Sequence, residues 1–242
     1  MTTDAFVQYG SMYCTSYAEW RSADAVGRAR LIRNRLPSYR KKGLFAAACL
    51  RSVGELPVGN RFFELLDEVE YHFDHGFAVL HAGRLRSSIE SEIRYFAGSD
   101  WRAAAHLWGG LFDATSQRVD SFAASARSAV WAEECRLRMP PDGSLGIGHR
   151  SAEAAADHMT AVAFHRAAGP VDGIEIEPHL RTTDVIALAR TIHDDKAFDR
   201  MTILADALED AGFVHADVLG ELRGPGPFFR GYWLIDSLLE KT

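Results

Sequence analysis

Apolar residues recur every three or four positions along most of this chain, and that spacing predicts helices. Phe6, Tyr9, Tyr13, Tyr17 and Trp20 predict a short helix docked by its aromatic face. Ala25, Ala29, Ile32 and Leu36 form a second stripe, which Pro37 stops. A third helix is expected from about Ser38 to Val53, with Leu44, Phe45, Ala48 and Cys49 inward. Its run Ala46-Ala47-Ala48 lets a neighbouring helix approach closely. Phe62, Leu66, Val69 and Phe73 predict a helix over 60–80, and Leu85, Ile89, Ile93 and Phe96 one that ends at Gly98. From Trp101 the pattern runs unbroken to about Val130, predicting one long helix that Gly109-Gly110 kinks or splits.

Met139 to His149, with Pro140-Pro141 and Gly143, Gly146 and Gly148, reads as a surface loop. A phosphate cradle would need a preceding strand and a suitable lysine, and this stretch has neither. A helix capped by Ser151 follows to about Ala168, with His158 and His165 on one face. Residues 169–182 form a Pro- and Gly-containing connection, where Ile174-Glu-Ile-Glu is the one β-like hint.

Beyond it, Asp184 is placed to cap a helix carrying Val185, Leu188, Ala189 and Ile192. A second carries Leu204, Ala207, Leu208 and Ala211, with Gly212 in the left-handed position past its end. A third spans about 215–223, and Gly224-Pro225 ends it. Pro227 can open a last helix whose stripe is Phe228, Tyr232, Ile235 and Leu239, widened by Phe229 and Trp233. Arg223, Arg230 and Asp236 are expected to pair with one another or with helix-end carbonyls. The expected fold is therefore all-α, a multi-helix array of antiparallel helix pairs, bundle or short solenoid. Its organisation is a helical region over 1–168, a connection over 169–182 and a four-helix unit over 183–242.

The run Ile192-His-Asp-Asp, Phe198 to Gly212, Leu222-Arg-Gly-Pro-Gly-Pro, Arg230-Gly, Trp233 and Asp236 resembles the C-terminal signature of a group of uncharacterised helical proteins expanded in planctomycete genomes. Residues 40–51 resemble the same group's basic, Cys-rich N-terminal helix. The resemblance implies a bacterial source and a helical fold, with Arg223, Arg230, Trp233 and Asp236 as signature residues, and no mechanism. Leu222 and Tyr232 stand where that group commonly has cysteine, Phe228 where it has histidine, and Ala47 and Ala48 where it has further cysteines. If that group uses those positions for thiol or metal chemistry, this chain has lost most of it.

Charge changes the picture most. The net charge is −6, from 27 basic and 33 acidic residues. Residues 21–51 hold nine Arg or Lys against Asp24 alone, a balance of +8, so the remainder carries −14. Within that segment Arg28, Arg33, Arg35, Arg40, Lys41 and Lys42 form a candidate surface for an anion or a partner. Three widely spaced cysteines argue against a disulfide framework and for a reduced, cytoplasmic protein. No leader or membrane span is expected.

Glu68, His72 and His75 are the best metal-like set, with His193 and Asp194 as further donors. They lie toward the polar side of their helix, where such residues are commonly just solvated. Cys49 lacks an acidic or histidine partner at a useful spacing and reads as a small core residue. Hydrolase, P-loop, dinucleotide-binding and zinc-protease motifs are absent, and no cofactor is expected. The leading expectation is a non-catalytic scaffold with a protein partner or a second copy. The alternatives are a nucleic-acid or anion binder and a metal-dependent enzyme.

Overall fold

The computed structural model describes residues 16–54, 59–76, 79–96, 102–115, 119–140, 144–171 and 173–241. The predicted positions Phe6, Tyr9 and Tyr13, and part of the Met139–His149 loop, lie outside them. Among the described residues the chain is all α, with twelve α-helices, two single-turn 3-10 helices and no strand. It divides into two compact units: residues 20–164, and residues 165–242 with 1–19. The division falls inside a helix, between Phe164 and His165.

The helices are α1 (Ser16–Ser22), α2 (Ala25–Arg35), α3 (Tyr39–Arg51), α4 (Gly59–His75), α5 (Val79–Phe96), α6 (Arg102–Ala114), α7 (Val119–Arg138) and α8 (His149–Ala168). Short polar side chains start two of them. Asp24 accepts from the Gly27 N–H at 2.7 Å, and Ser38 from the Lys41 N–H at 3.1 Å. The larger unit is organised around α3, whose ten consecutive residues Lys41–Leu50 are all buried. Only a helix enclosed on every side can bury so long a run, and α4, α6 and α7 all pack on it. At Gly43 the approach is close enough that a Cβ would collide with the Phe73 ring of α4. Around this helix Tyr39, Phe73 and Phe122 meet with ring centroids 5.1–5.9 Å apart. Trp20 is fully enclosed, stacked on Phe164 at 4.8 Å, edge-on to Phe45 at 5.4 Å, and donating its indole N–H to the Thr160 hydroxyl at 3.2 Å.

Three boundaries differ from the sequence reading. The helix expected over 60–80 stops at His75, because Gly76 turns left-handed at φ 97°. The long helix from Trp101 is two helices, α6 and α7, which pack along each other. Gly109-Gly110 is not the break. Gly110 lies inside α6, where the missing Cβ admits Leu50 of α3 and Ser128 of α7. The helix capped by Ser151 begins earlier, at His149.

In the C-terminal unit the helices are α9 (Thr183–Asp195), α10 (Met201–Asp210), α11 (Ala216–Leu222) and α12 (Trp233–Leu238). Thr182, not Asp184, caps α9 by accepting from the Val185 N–H. His193-Asp194-Asp195 continues that helix, which ends at left-handed Lys196. Gly212 takes the left-handed position after α10, as expected, at φ 99°. Val185, Ile192, Leu204, Leu208, Leu219 and Leu222 share one core with Tyr232, Trp233 and Ile235. Ile174 and Ile176 pack against it without forming a strand.

The last helix is shorter than its apolar stripe. Pro227 to Gly231 is an irregular loop, and α12 begins only at Trp233. Gly231 sits at φ 89°, outside the right-handed helical region, so no helix can run through it. Phe229 and Tyr232 still bury from the loop and Phe228 does so in part, while Trp233 buries from the first turn of α12.

Candidate functional site

Glu68, His72 and His75 follow one another along α4 without converging. His72 is buried and its Nε2 lies 3.9 Å from an oxygen of exposed Glu68. His75 turns back on its own helix, with Nδ1 2.9 Å from the Tyr71 carbonyl and its ring stacked on Tyr71 at 4.1 Å. His193 is buried in the other unit, its Nδ1 2.8 Å from Asp194 Oδ1. Among the described residues no group of three or more His, Cys, Asp or Glu is placed to hold a metal ion. Cys49 is wholly enclosed in α3, and burial pushes its thiol well above the usual range.

The basic segment is divided between internal and outward roles. Arg28 pairs with Asp157 of α8, which also takes Arg21 at 3.3 Å, and its guanidinium lies 5.3 Å from the Trp20 ring. Arg40 pairs with Asp74 at 2.7 Å, and Arg51 bridges Asp67 at 2.5 Å and Glu70 at 2.8 Å. Lys41 and Lys42 are buried in α3, and desolvation lowers the Lys42 ammonium from its ordinary range. Arg35 is half-buried.

Arg33 faces outward with its neighbour one turn back, Arg30. Together with Arg127 of α7 they line an open groove of about 440 Å³ between α2 and α7. Its floor is small and apolar: Ala25, Ala29, Ala123 and Ala124, with Val26 68% exposed at the edge. One turn along α7 from Arg127, Trp131 is 45% exposed, with the Arg127 guanidinium 5.4 Å from its ring centroid. Asp113 of α6 is half-buried, and that burial raises its carboxyl against the pull of Arg127 and Arg86.

A second cluster lies in the C-terminal unit. Arg166 donates from Nε to Glu221 Oε1 at 3.0 Å and from its terminal nitrogen to the Pro227 carbonyl, with its guanidinium 4.8 Å from the centroid of the Phe228 ring. His165 Nε2 is 3.6 Å from the other Glu221 oxygen, and its Nδ1 is 2.7 Å from the Ser16 hydroxyl. All four residues are buried. Burial would raise the Glu221 carboxyl, but His165 and Arg166 together hold it below the usual carboxylate range. Burial and the Glu221 charge push the Tyr232 hydroxyl well above its usual range. Ser16, His165 and Glu221 superficially resemble a hydrolase relay, but Ser16 has no exposed surface and no substrate could reach its oxygen.

The signature residues take structural parts around this cluster. Arg223 pairs with Asp206 and Glu209 of α10, both at 2.6 Å. Arg230 donates to the Asp194 carbonyl in the last turn of α9, and Asp236 is buried in α12. Trp233 closes over Gly169, where the positive φ of 73° strains any side chain and an added Cβ would press on the indole at 3.0 Å.

Residue spacing does not single out Arg127, Arg166 or Glu221, and it marks His165 only as one of a pair on a helix face. Arg127 sits in an alanine-rich run that reads as packing surface, about a hundred residues from the basic segment it joins. No family model, curated protein or solved structure matches this chain.

Proposed function

We propose that the chain is a non-catalytic helical interaction protein whose groove between α2 and α7 receives an acidic, helical segment of a protein partner. The observation that carries this reading is the placement of Arg30, Arg33 and Arg127 over a floor of alanines. Small side chains let a partner backbone come close, and arginines rimming an apolar strip suit carboxylates on either side of an apolar helix face. Exposed Trp131 beside Arg127 adds two of the residue types enriched at interface hot spots. A nucleic acid is favoured less, because Arg21, Arg28, Arg40 and Arg51 are already paired with the protein's own carboxylates. The resemblance of the C-terminal signature to the planctomycete group belongs to the same proposal, and with it a bacterial, cytoplasmic setting. Among the described residues no helix is long and apolar enough to cross a membrane.

The test is fluorescence anisotropy with two labelled probes at low and moderate salt. One is a helical peptide with an Ala/Leu face flanked by glutamates, the other a single-stranded oligonucleotide. Saturable peptide binding that survives moderate salt supports the proposal. Tighter binding of the oligonucleotide, or no binding of the peptide at low salt, overturns it.

A further inference from the structure

The larger unit displays on its own surface a helix of the kind its groove suits. Phe62, Leu66, Val69 and Phe73 turn one side of α4 into the core. The other side carries Phe63, Glu64, Asp67, Glu68 and Tyr71, all exposed. At 3.6 residues per turn these five fall within an arc of about 140°, so they form one strip. Phe63 is 41% and Tyr71 53% exposed, two rings left in water on an otherwise charged face. Both are braced by neighbours on the helix, Tyr71 stacked on His75 at 4.1 Å and Phe63 edge-on to Phe62 at 5.4 Å. Resting on the groove between α2 and α7 as a receptor for an acidic helix, we propose that its occupant is α4 of a second copy of this chain.

The two surfaces are complementary in charge and in length. Glu64, Asp67, Glu68 and the flanking Glu70 are four carboxylates, and the guanidiniums that pair among them are two, Arg51 and Arg61, which leaves an excess of two negative charges. The described residues lining the groove include Arg30, Arg33 and Arg127 and no carboxylate. Arg30 and Arg33 are three residues apart, as are Glu64 and Asp67, so cations and carboxylates recur at one spacing of about 5–6 Å. Phe63 and Tyr71 stand eight residues apart, about 12 Å along the helix, and the groove follows α2 for the same eight residues, Ala25 to Arg33. Its alanine floor leaves the space above open to the rings. Both surfaces are exposed in the single chain, so they meet only between copies, each using a different patch.

Sedimentation of the full chain over a range of concentrations, at low and moderate salt, tests this. The native chain is expected to self-associate reversibly, and more weakly as salt rises. Arg30→Glu with Arg127→Glu, and Glu64→Lys with Glu68→Lys, are each expected to raise the dissociation constant at least about tenfold, because like charges then face each other. An equimolar mixture of the two variants is expected to associate again, since the reversed surfaces match. All four positions are exposed, so the fold is retained, as circular dichroism will show. A native chain that stays monomeric at every concentration yet binds the acidic helical peptide overturns the second copy as occupant and leaves the groove as a receptor. Failure of both removes the receptor as well. Self-association that ignores salt, persists unchanged in either variant, or is not restored by mixing also overturns the inference.

Discussion

The groove of the larger unit and the polar cluster of the C-terminal unit are built from the same kinds of side chain and put them to opposite use. In the groove, arginines stand at the rim of an apolar floor and keep much of their hydration. In the cluster, Arg166 and His165 are stripped of water and held by one carboxylate, a carbonyl and an aromatic face. A buried cation must be matched where it lies, so the cluster is bound up with folding. An exposed rim cation contributes little to folding.

Glu221→Ala breaks this contrast most severely. It leaves Arg166 and His165 buried without their carboxylate, and is expected to lose about 3–5 kcal/mol of stability in urea unfolding. A loss under 1 kcal/mol would mean that the cluster is already hydrated. Gly43→Ala tests close packing in the other unit. A methyl forced against Phe73 is expected to cost about 1–3 kcal/mol.

Acid sharpens the comparison without any mutation. The Glu221 carboxyl is held below its unfolded value near 4.5, so its contribution is fully present above that pH. The contribution is lost as pH falls through the lowered folded value. Melting temperature should therefore drop below about pH 4.5 more steeply in the native chain than in Glu221→Gln. Parallel curves would remove Glu221 from the account. The smallest effect is expected at the groove, where Arg30→Ser with Arg127→Ser should shift stability by no more than about 0.5 kcal/mol.

Much of the fold could be read from apolar spacing, because a helix buried on one face needs that spacing to exist. Gly212 was readable as a stop for the same local reason: only glycine takes that backbone turn without strain. The start of α12 was not. The stripe Phe228, Tyr232, Ile235 and Leu239 continues at helical period across Gly231, and side-chain spacing does not encode the sign of φ at a glycine. The sites were harder still. The excess of charge in 21–51 was plain, but which arginines would be consumed by Asp157, Asp74 and Glu70 depends on helices distant in sequence. The bond between Ser16 and His165 spans 149 positions, beyond the reach of any local pattern.

The most direct test measures melting temperature and affinity for the acidic helical peptide side by side, in the native chain and in the Arg30→Ser, Arg127→Ser variant. The account predicts an unchanged melting temperature with peptide affinity lowered at least about tenfold, as two charge-assisted contacts are removed. Unchanged affinity in a fully folded variant would contradict it.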